Sequence, residues 1–251
     1  MLKFSPANSK LQKLAKRRFA RKYLKGRKLY SLDLVAGKTC PFARDCKSHV
    51  QHTADGPRIV DGPHTVFRCY AASQEVIYSS VLKLHEHNTD LIRKCRTAKE
   101  IARLILSSLP KNAGIIRYHA SGDFFNREYF KAAILVARLR PDILFYGYTK
   151  AIGYLTTYKL PENFTLVASY GGTLDTLIEP YQLKSVKVVK STYEARKLGL
   201  PVDQDDSHAA NPASNSFALV VHGPQPKGSE LAKIITRNNR RKALTNSRET
   251  V

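Results

Sequence analysis

Four cysteines are the side chains of this sequence best suited to bind a metal. Cys40 and Cys46 are separated by five residues, Cys46 and Cys69 by 22 residues, and Cys95 falls in a predicted helix. Three thiolates from one loop can hold an iron–sulfur cluster with one iron left open, or supply most of a zinc site that a histidine completes. Neither spacing is diagnostic, and free, partly buried cysteines are the alternative interpretation.

Polar residues and glycines follow each apolar segment that we predict to be a buried strand. His119 comes directly after such a segment and precedes Ser121-Gly122-Asp123, where a general acid or base belongs. Tyr148 and Lys150 follow the next segment, and Ser169 follows the one after it. Because chemistry gathers at the carboxyl ends of parallel strands, these side chains predict a site. Simple surface exposure of loop residues is the alternative.

An acidic run over residues 203–208 forms a second candidate. Asp205 and Asp206, together with Asp123 and His119, have the oxygen and nitrogen ligands that Mg²⁺ or Mn²⁺ accepts in the hydrolysis of phosphodiesters. A solvated loop or a helix cap is the alternative interpretation of such a run.

The elements that must position these residues alternate along the chain. Apolar segments of four to six residues alternate with helical segments from residue 115 onward, which predicts parallel strands joined by right-handed crossovers. Strands are predicted over 115–119, 143–148, 164–169, 185–191 and 217–222, and helices over 10–24, 71–87, 93–109, 126–139 and 192–198. The predicted fold class is α/β, a partial or irregular parallel β/α barrel of five units.

Basic residues are concentrated at the two ends of the chain, whose net charge is +22. Residues 1–30 contain eleven Lys or Arg and no acid, and residues 227–251 contain seven against two acids. Such ends attract a phosphate backbone by counterion release. The predicted nucleic-acid-binding residues are Lys13, Lys16, Arg17, Arg18, Arg21, Lys22, Arg240 and Arg241. A solubility device or a membrane-surface patch is the alternative.

Composition excludes some classes of protein. No apolar run is long enough to cross a membrane, and the N-terminus lacks the features of a secretory signal, so we expect a cytoplasmic protein with no membrane partner. No Walker or dinucleotide-binding glycine loop is present. We predict one α/β domain over residues 29–230, a basic helical extension over 1–28 and a basic C-terminal tail over 231–251.

Four segments of the sequence resemble the phage gene product 88 family. They are Ser31-Leu32 through Lys38-Thr39-Cys40-Pro41, Phe67 through Ser73, His119 through Phe125, and Tyr146 through Lys150. The resemblance covers roughly residues 29–230, and the Ser-Gly-Asp-Phe-Phe segment is its most specific part. It implies a phage or mobile-element setting, and thus the host cytoplasm, without implying a reaction.

The order Thr-Cys-Pro, Cys, Cys-Tyr-Ala is also similar to the three-cysteine motif of radical S-adenosylmethionine enzymes and their phage relatives. That resemblance implies a [4Fe–4S] cluster on Cys40, Cys46 and Cys69, with S-adenosylmethionine at the open iron. Ser121, Gly122, Asp123 and Ser169 would then bind the cofactor, and Tyr148 and Lys150 would face the substrate. The long insertion between Cys46 and Cys69 departs from the pattern of those enzymes.

Three functions therefore remain as hypotheses. The first is an iron–sulfur protein that acts on or beside DNA or RNA. If it is an enzyme, it is one of the radical S-adenosylmethionine type. The second is a non-catalytic nucleic-acid-binding protein stabilised by zinc. The third is a Mg²⁺-dependent nuclease built on Asp123, Asp205 and Asp206.

Overall fold

A computed structural model describes residues 1–248, except for the side chains of residues 9, 10 and 241–248. Nine strands are present in this part of the chain. They are β1 (Ser5–Pro6), β2 (Lys28–Leu32), β3 (Ser48–Thr53), β4 (Gly56–Asp61), β5 (Ala113–Tyr118), β6 (Leu144–Thr149), β7 (Phe164–Ser169), β8 (Ser185–Val189) and β9 (Phe217–Val220).

Ten α-helices accompany the strands within residues 1–248. They are α1 (Ser9–Leu14), α2 (Arg18–Arg21), α3 (Tyr70–Ile77), α4 (Ser79–Lys94), α5 (Ala98–Ser108), α6 (Arg127–Leu139), α7 (Ile152–Thr157), α8 (Thr192–Lys197), α9 (Ser207–Ala210) and α10 (Glu230–Arg248). None of the described helices is both long and apolar enough to cross a membrane.

Seven strands form one curled sheet in the order β1-β2-β5-β6-β7-β8-β9, and β3 and β4 form a separate antiparallel hairpin. In the large sheet the β1–β2 pair is antiparallel, and the other five pairs of neighbouring strands are parallel. The six parallel strands follow one another in chain order, as in a barrel that has not closed. The predicted α/β class and the partial barrel are confirmed in this form.

Both faces of the sheet are covered, which explains why its strands are almost continuously apolar. The crossover helices α4, α5 and α6 pack on the outer face, around Phe130, Phe145 and Phe164. Leu14 from the N-terminal segment packs on the inner face with Phe217. Helix α6 begins where the Asn126 side chain accepts a hydrogen bond from a free backbone N–H, as an N-cap does.

The N-terminal basic segment differs from the single helix predicted over residues 10–24. A turn over residues 15–17 divides it into α1 and α2, and Leu11, Leu14 and Ala20 are buried against the inner face of the sheet. Apolar spacing identified the buried side chains correctly but not the break between the helices. The C-terminal end is helical as far as Arg248, and Arg241 lies outside the residues whose side chains are described.

Three other elements differ from their predictions. The predicted helix over 71–87 is divided at Tyr78, whose extended backbone ends α3 and begins α4. Residues Lys28–Leu32, for which no strand is predicted from the sequence, form β2, so the sheet has six parallel strands and not the five predicted. The segment over 39–61, for which neither a helix nor a strand is predicted from the sequence, contains the β3–β4 hairpin.

Candidate functional site

The carboxyl ends of β2, β5, β6 and β7 lie side by side, and the loops that leave them carry most of the predicted site residues. Asp33 fixes the first of these loops to the second. Its carboxylate accepts hydrogen bonds from the Ser31 hydroxyl (2.6 Å) and the Ala120 backbone N–H (2.7 Å). The Leu34 N–H donates to the Ser121 carbonyl at 2.9 Å. The Cys40 loop and the Ser121 turn are therefore one packed unit.

Gly122 permits the close contact between these two loops. Its backbone has a φ of +89°, and a Cβ added there would lie 2.7 Å from both Leu34 Cβ and Thr39 Oγ1. No other residue fits this position without moving the Cys40 loop. Gly122 therefore allows the two loops to pack together, in addition to the cofactor-binding role predicted for it.

The loop between Cys40 and Cys46 crosses to the end of β7. The backbone N–H groups of Arg44 and Asp45 both donate to the Gly171 carbonyl at 3.0 Å, and Ala43 pairs with Gly172 as an isolated bridge. The glycine pair after β7 therefore holds the cysteine loop over the edge of the sheet.

The insertion between Cys46 and Cys69 is the β3–β4 hairpin, and its two ends meet. Ser48 pairs with Asp61 at its base, and the Ser48 hydroxyl accepts a hydrogen bond from the Cys69 N–H at 3.2 Å. Arg68 forms an ion pair with Asp61. The 22 intervening residues therefore leave the second and third cysteines near each other. The Asp-Gly dipeptide at 55–56 is the sequence signal for this hairpin.

The three cysteines of the loop share one electrostatic environment. Burial raises the pKa of Cys40 well above its ordinary value, and the charges of Asp123, Cys69 and Cys46 raise it further. Burial also raises the pKa of Cys69 to about 11, with a contribution from Cys46. These effects agree with the hairpin geometry, which leaves Cys46 and Cys69 near each other. Cys95 is separate from them: its thiol contacts the Leu91 carbonyl, and burial and Glu100 raise its pKa.

Asp123 joins the turn after β5 to the end of β6. Its carboxylate accepts hydrogen bonds from the Thr149 hydroxyl (2.6 Å), the Lys150 N–H (2.8 Å) and its neighbour Phe124 N–H (2.7 Å). Burial raises the pKa of Asp123, and these three bonds oppose the increase. The side chain is therefore fixed in place, 5% exposed, beside Cys40.

Lys150 is a buried ammonium group at the same edge. Its Nζ donates to the Ser169 hydroxyl at 2.6 Å, and both side chains are 8% exposed. An ammonium group has three donors. The structure thus brings together the predicted residues Asp123, Lys150 and Ser169 with the cysteines.

His119 and Tyr148 have other partners. The His119 ring packs against Phe124 and its Nε2 is 2.9 Å from the Tyr129 hydroxyl. Burial, with the charge of Arg117, lowers the pKa of His119 to about 3, so the imidazole is neutral. The Tyr148 hydroxyl donates to Asp206 at 3.3 Å. These contacts give no support to an acid–base role of His119 or a substrate contact of Tyr148.

Two residues of this edge were missed by sequence analysis. Glu75 of α3 and His85 of α4 are buried and hydrogen-bonded to each other at 2.7 Å. Glu75 also accepts a hydrogen bond from the hydroxyl of Ser121 at 2.9 Å. No motif marks them, because both lie within ordinary amphipathic helices.

The acidic run is divided among separate partners. Asp205 binds Arg17 through an ion pair of 2.7 Å, and Asp206 binds Arg117 at 3.2 Å. Asp123 is held by the bonds described above. Within residues 1–248 no group of three or more His, Cys, Asp or Glu side chains is arranged to hold a single metal ion. Among the described residues, these carboxylates therefore give no support to a two-metal site, and the three cysteines are not arranged around a single metal ion.

The predicted nucleic-acid-binding residues of the N-terminus are all exposed. They are Lys13, Lys16, Arg17, Arg18, Arg21 and Lys22, and Arg240 of α10 is exposed as well. A cleft of about 680 Å³ lies between α2 and α9 and is lined by Arg17, Arg18, Phe19, Lys22 and His208, among others. Basic side chains and an aromatic ring thus line one concave surface.

The fold and the site define a class of protein: an open β/α half-barrel of six parallel strands, with three cysteines in the segment after the first of these strands. The family model for Gene product 88 matches residues 2–246, and the chain belongs to that family. Comparison with curated proteins and with solved structures found no match.

Proposed function

We propose that this protein is an iron–sulfur enzyme of the radical S-adenosylmethionine type, with a [4Fe–4S] cluster on Cys40, Cys46 and Cys69. The observation that carries the proposal is geometric: the closed base of the β3–β4 hairpin leaves Cys46 and Cys69 near each other, and the Gly171 carbonyl holds the loop after Cys40 at the carboxyl edge of the half-barrel. In a reducing compartment such as the cytoplasm expected from the sequence, cysteines gathered in this way serve metal binding more often than disulfide formation.

The donor set suits a cluster with one open iron. Three thiols are present, and the charges of Cys46 and Cys69 raise the pKa of Cys40, an effect that a bound cation reverses. In a mononuclear site the metal–sulfur bonds of about 2.3 Å hold the ligands in close contact. A cluster is larger than a single ion and accepts thiols that lie further apart. A reduced cluster held by Cys40, Cys46 and Cys69 would supply an electron to S-adenosylmethionine.

The surrounding side chains have roles that follow from their contacts. Asp123 holds the Ser121 turn against the end of β6, and so orients the wall of the site beside Cys40. Lys150 donates one of its protons to Ser169 and keeps two for an anionic group of the bound molecule.

Metal analysis of anaerobically purified protein tests the proposal. We expect about four iron and four sulfide per chain and a brown colour. Alanine at Cys40, Cys46 or Cys69 should remove the iron, whereas Cys95→Ala, the matched control, should keep it. Zinc alone, no metal, or equal iron in all four variants would overturn the proposal.

A second function is supported by a different observation. The cleft between α2 and α9 combines exposed cations with Phe19, which suits a phosphate backbone and a stacked base. We propose that this cleft binds nucleic acid. Arg17 is held by Asp205, so Arg18 and Lys22 are the cations of this cleft best placed to contact phosphate.

Salt-dependent binding of labelled single-stranded RNA and duplex DNA tests this second function. Replacing Arg18 and Lys22 with Gln together should weaken binding and lower the slope of log affinity against log salt by about 1.5. The control is Lys83→Gln, an exposed lysine of α4. Equal slopes in the two variants would refute binding at this cleft.

A further inference from the structure

The cleft between α2 and α9 has two walls of different chemistry. The α2 wall carries the cations Arg18 and Lys22 and the ring of Phe19, whereas the opposite wall carries small polar side chains around His208. The volume of about 680 Å³ lies within the range of about 300–1,000 Å³ that is usual for ligand sites in proteins. The cleft is therefore large enough for one nucleotide unit of a strand.

Two buried charges hold the α9 wall in place. The Lys184 ammonium group donates hydrogen bonds of 2.6 Å to the carbonyls of His208 and Asn211, at the C-terminal end of α9. The Asp203 carboxylate accepts hydrogen bonds from the His208 N–H at 3.1 Å and from the Ala209 N–H at 3.2 Å. These bonds fix the backbone of the α9 wall without any ligand.

An ion pair fixes the two walls to each other. Arg17, which directly precedes α2, pairs with the buried carboxylate of Asp205 at 2.7 Å. Asp205 also accepts a hydrogen bond from the Ser207 N–H at the start of α9. The fold therefore sets the width of the cleft, so that little conformational entropy is lost when a ligand enters it.

Two side chains of the cleft suit a nucleobase. Phe19 packs partly against the core beneath it, and the part of its ring that lines the cleft can stack on a base. Asn211 Oδ1 accepts a hydrogen bond from the Ala213 N–H at 3.1 Å. The amide nitrogen of Asn211 therefore points away from Ala213, and its two hydrogens can be donated to a carbonyl of a base.

The position of the stacking ring decides between paired and unpaired nucleic acid. In a duplex the ring faces of the bases are stacked inside, and only their edges are reached from the grooves. An unpaired base can leave its strand and present both its face and its edge to a protein. A stacking ring inside a cleft of fixed width therefore suits an unpaired base.

We propose that the cleft binds single-stranded nucleic acid by receiving one unpaired base. The base stacks on Phe19, and Asn211 Nδ2 donates a hydrogen bond to a carbonyl oxygen of the base. Arg18 and Lys22 contact the phosphates on either side of it. The inference rests on the proposed binding of nucleic acid at this cleft, and it names the form of the polymer and the residues that hold its base.

Fluorescence anisotropy with three labelled DNA probes of equal length tests the inference. The probes are an oligothymidylate, an abasic oligonucleotide and a duplex. The two single strands have the same phosphates, so that they differ only in their bases. The native protein should bind oligothymidylate about 10-fold more tightly than the abasic strand, as expected of one stacked base.

Variants of the cleft locate the preference for bases. Phe19→Leu keeps an apolar side chain against the core but removes the aromatic ring, so this preference should fall to about 2-fold or less, with no change in duplex affinity. Asn211→Asp keeps the acceptor for Ala213 but removes both donors, and should lower the preference about 3-fold. The matched control is Tyr193→Leu, an exposed tyrosine of α8 outside the cleft, which should keep the preference.

Equal affinity of the native protein for the two single strands would overturn the inference, and so would an unchanged preference in Phe19→Leu. The comparison on the native protein needs no variant, so it decides the matter even if a variant does not fold. Salt-dependent binding that requires Arg18 and Lys22 but ignores the bases would refute only the unpaired base. Failure to bind any of the three probes would also refute the proposed binding of nucleic acid at this cleft.

Discussion

The Thr149 hydroxyl donates a hydrogen bond of 2.6 Å to Asp123 Oδ1, and this bond joins the end of β6 to the turn that follows β5. Both side chains are buried. The contact connects two neighbouring crossovers of the half-barrel at the level of the cysteines, so loss of either partner should affect the site and the stability together.

Asp123→Asn should lower the free energy of unfolding by about 2–4 kcal/mol. The amide nitrogen cannot accept the bonds that Asp123 receives, so buried donors lose their acceptor. Urea unfolding measures the change, with the exposed Asp90→Asn as a control expected to lie within about 0.5 kcal/mol of the native protein. A loss for Asp123→Asn no larger than that of the control would contradict the role of this carboxylate.

The stability of the protein should depend on Asp61, which lies at the base of the β3–β4 hairpin. Asp61→Asn removes the partly buried ion pair with Arg68 and should lower stability by about 1 kcal/mol, together with the iron content. Asp55→Asn at the hairpin tip removes a fully exposed pair with Arg58 and should change neither. Thermal unfolding and iron analysis of both variants provide the comparison. Equal iron content in the two variants would show that the ion pair at the hairpin base does not affect the cysteine site.

Acid should weaken the ion pair between Asp61 and Arg68. The hydrogen bond from Arg68 lowers the pKa of Asp61 below its ordinary value. The stabilisation by Asp61 is therefore complete above about pH 4 and is lost as the pH falls through the folded-state value. The stability difference between the native protein and Asp61→Asn, measured from pH 6 to pH 2, should shrink on acidification. A constant difference would show that Asp61 does not act through its charge.

Metal-free protein should lose stability in alkali. Because burial raises the pKa of Cys69 to about 11, the thiol is neutral in the folded chain where it already ionises in the unfolded one. Its contribution is complete below about pH 8.5 and is lost as the pH rises toward 11. Cys69→Ala should flatten the pH profile of urea unfolding over that range. Parallel profiles would mean that the thiol is more exposed than its pKa implies.

Leu14 should contribute more to stability than its position in a basic segment suggests. It is fully buried against the inner face of the sheet, so Leu14→Ala should cost about 3 kcal/mol, while the exposed Gln12→Ala should have little effect. Chemical unfolding compares the two. Similar midpoints would show that α1 does not belong to the folded core.

Much of the sheet could be predicted from the sequence because buried parallel strands are read from their apolar runs, as Phe164–Ser169 was. The sequence also predicted that Asp123 and Lys150 lie close together, because the carboxyl ends of neighbouring parallel strands meet at one edge of a sheet. The side-chain partners could not be predicted in this way. His119 has a φ of +63° and its ring lies in an aromatic cluster, and Glu75 meets Ser121 only through tertiary packing across 46 positions.

The β3–β4 hairpin bears on how related proteins can be found. Since Ser48 and Asp61 close its base, residues can be added to or removed from its tip without displacing Cys46 or Cys69. A change in the length of the hairpin then alters the number of residues between these cysteines but leaves the two cysteines near each other. A search pattern with a fixed cysteine spacing will overlook such chains, and one that allows a hairpin of variable length at this point will recover them.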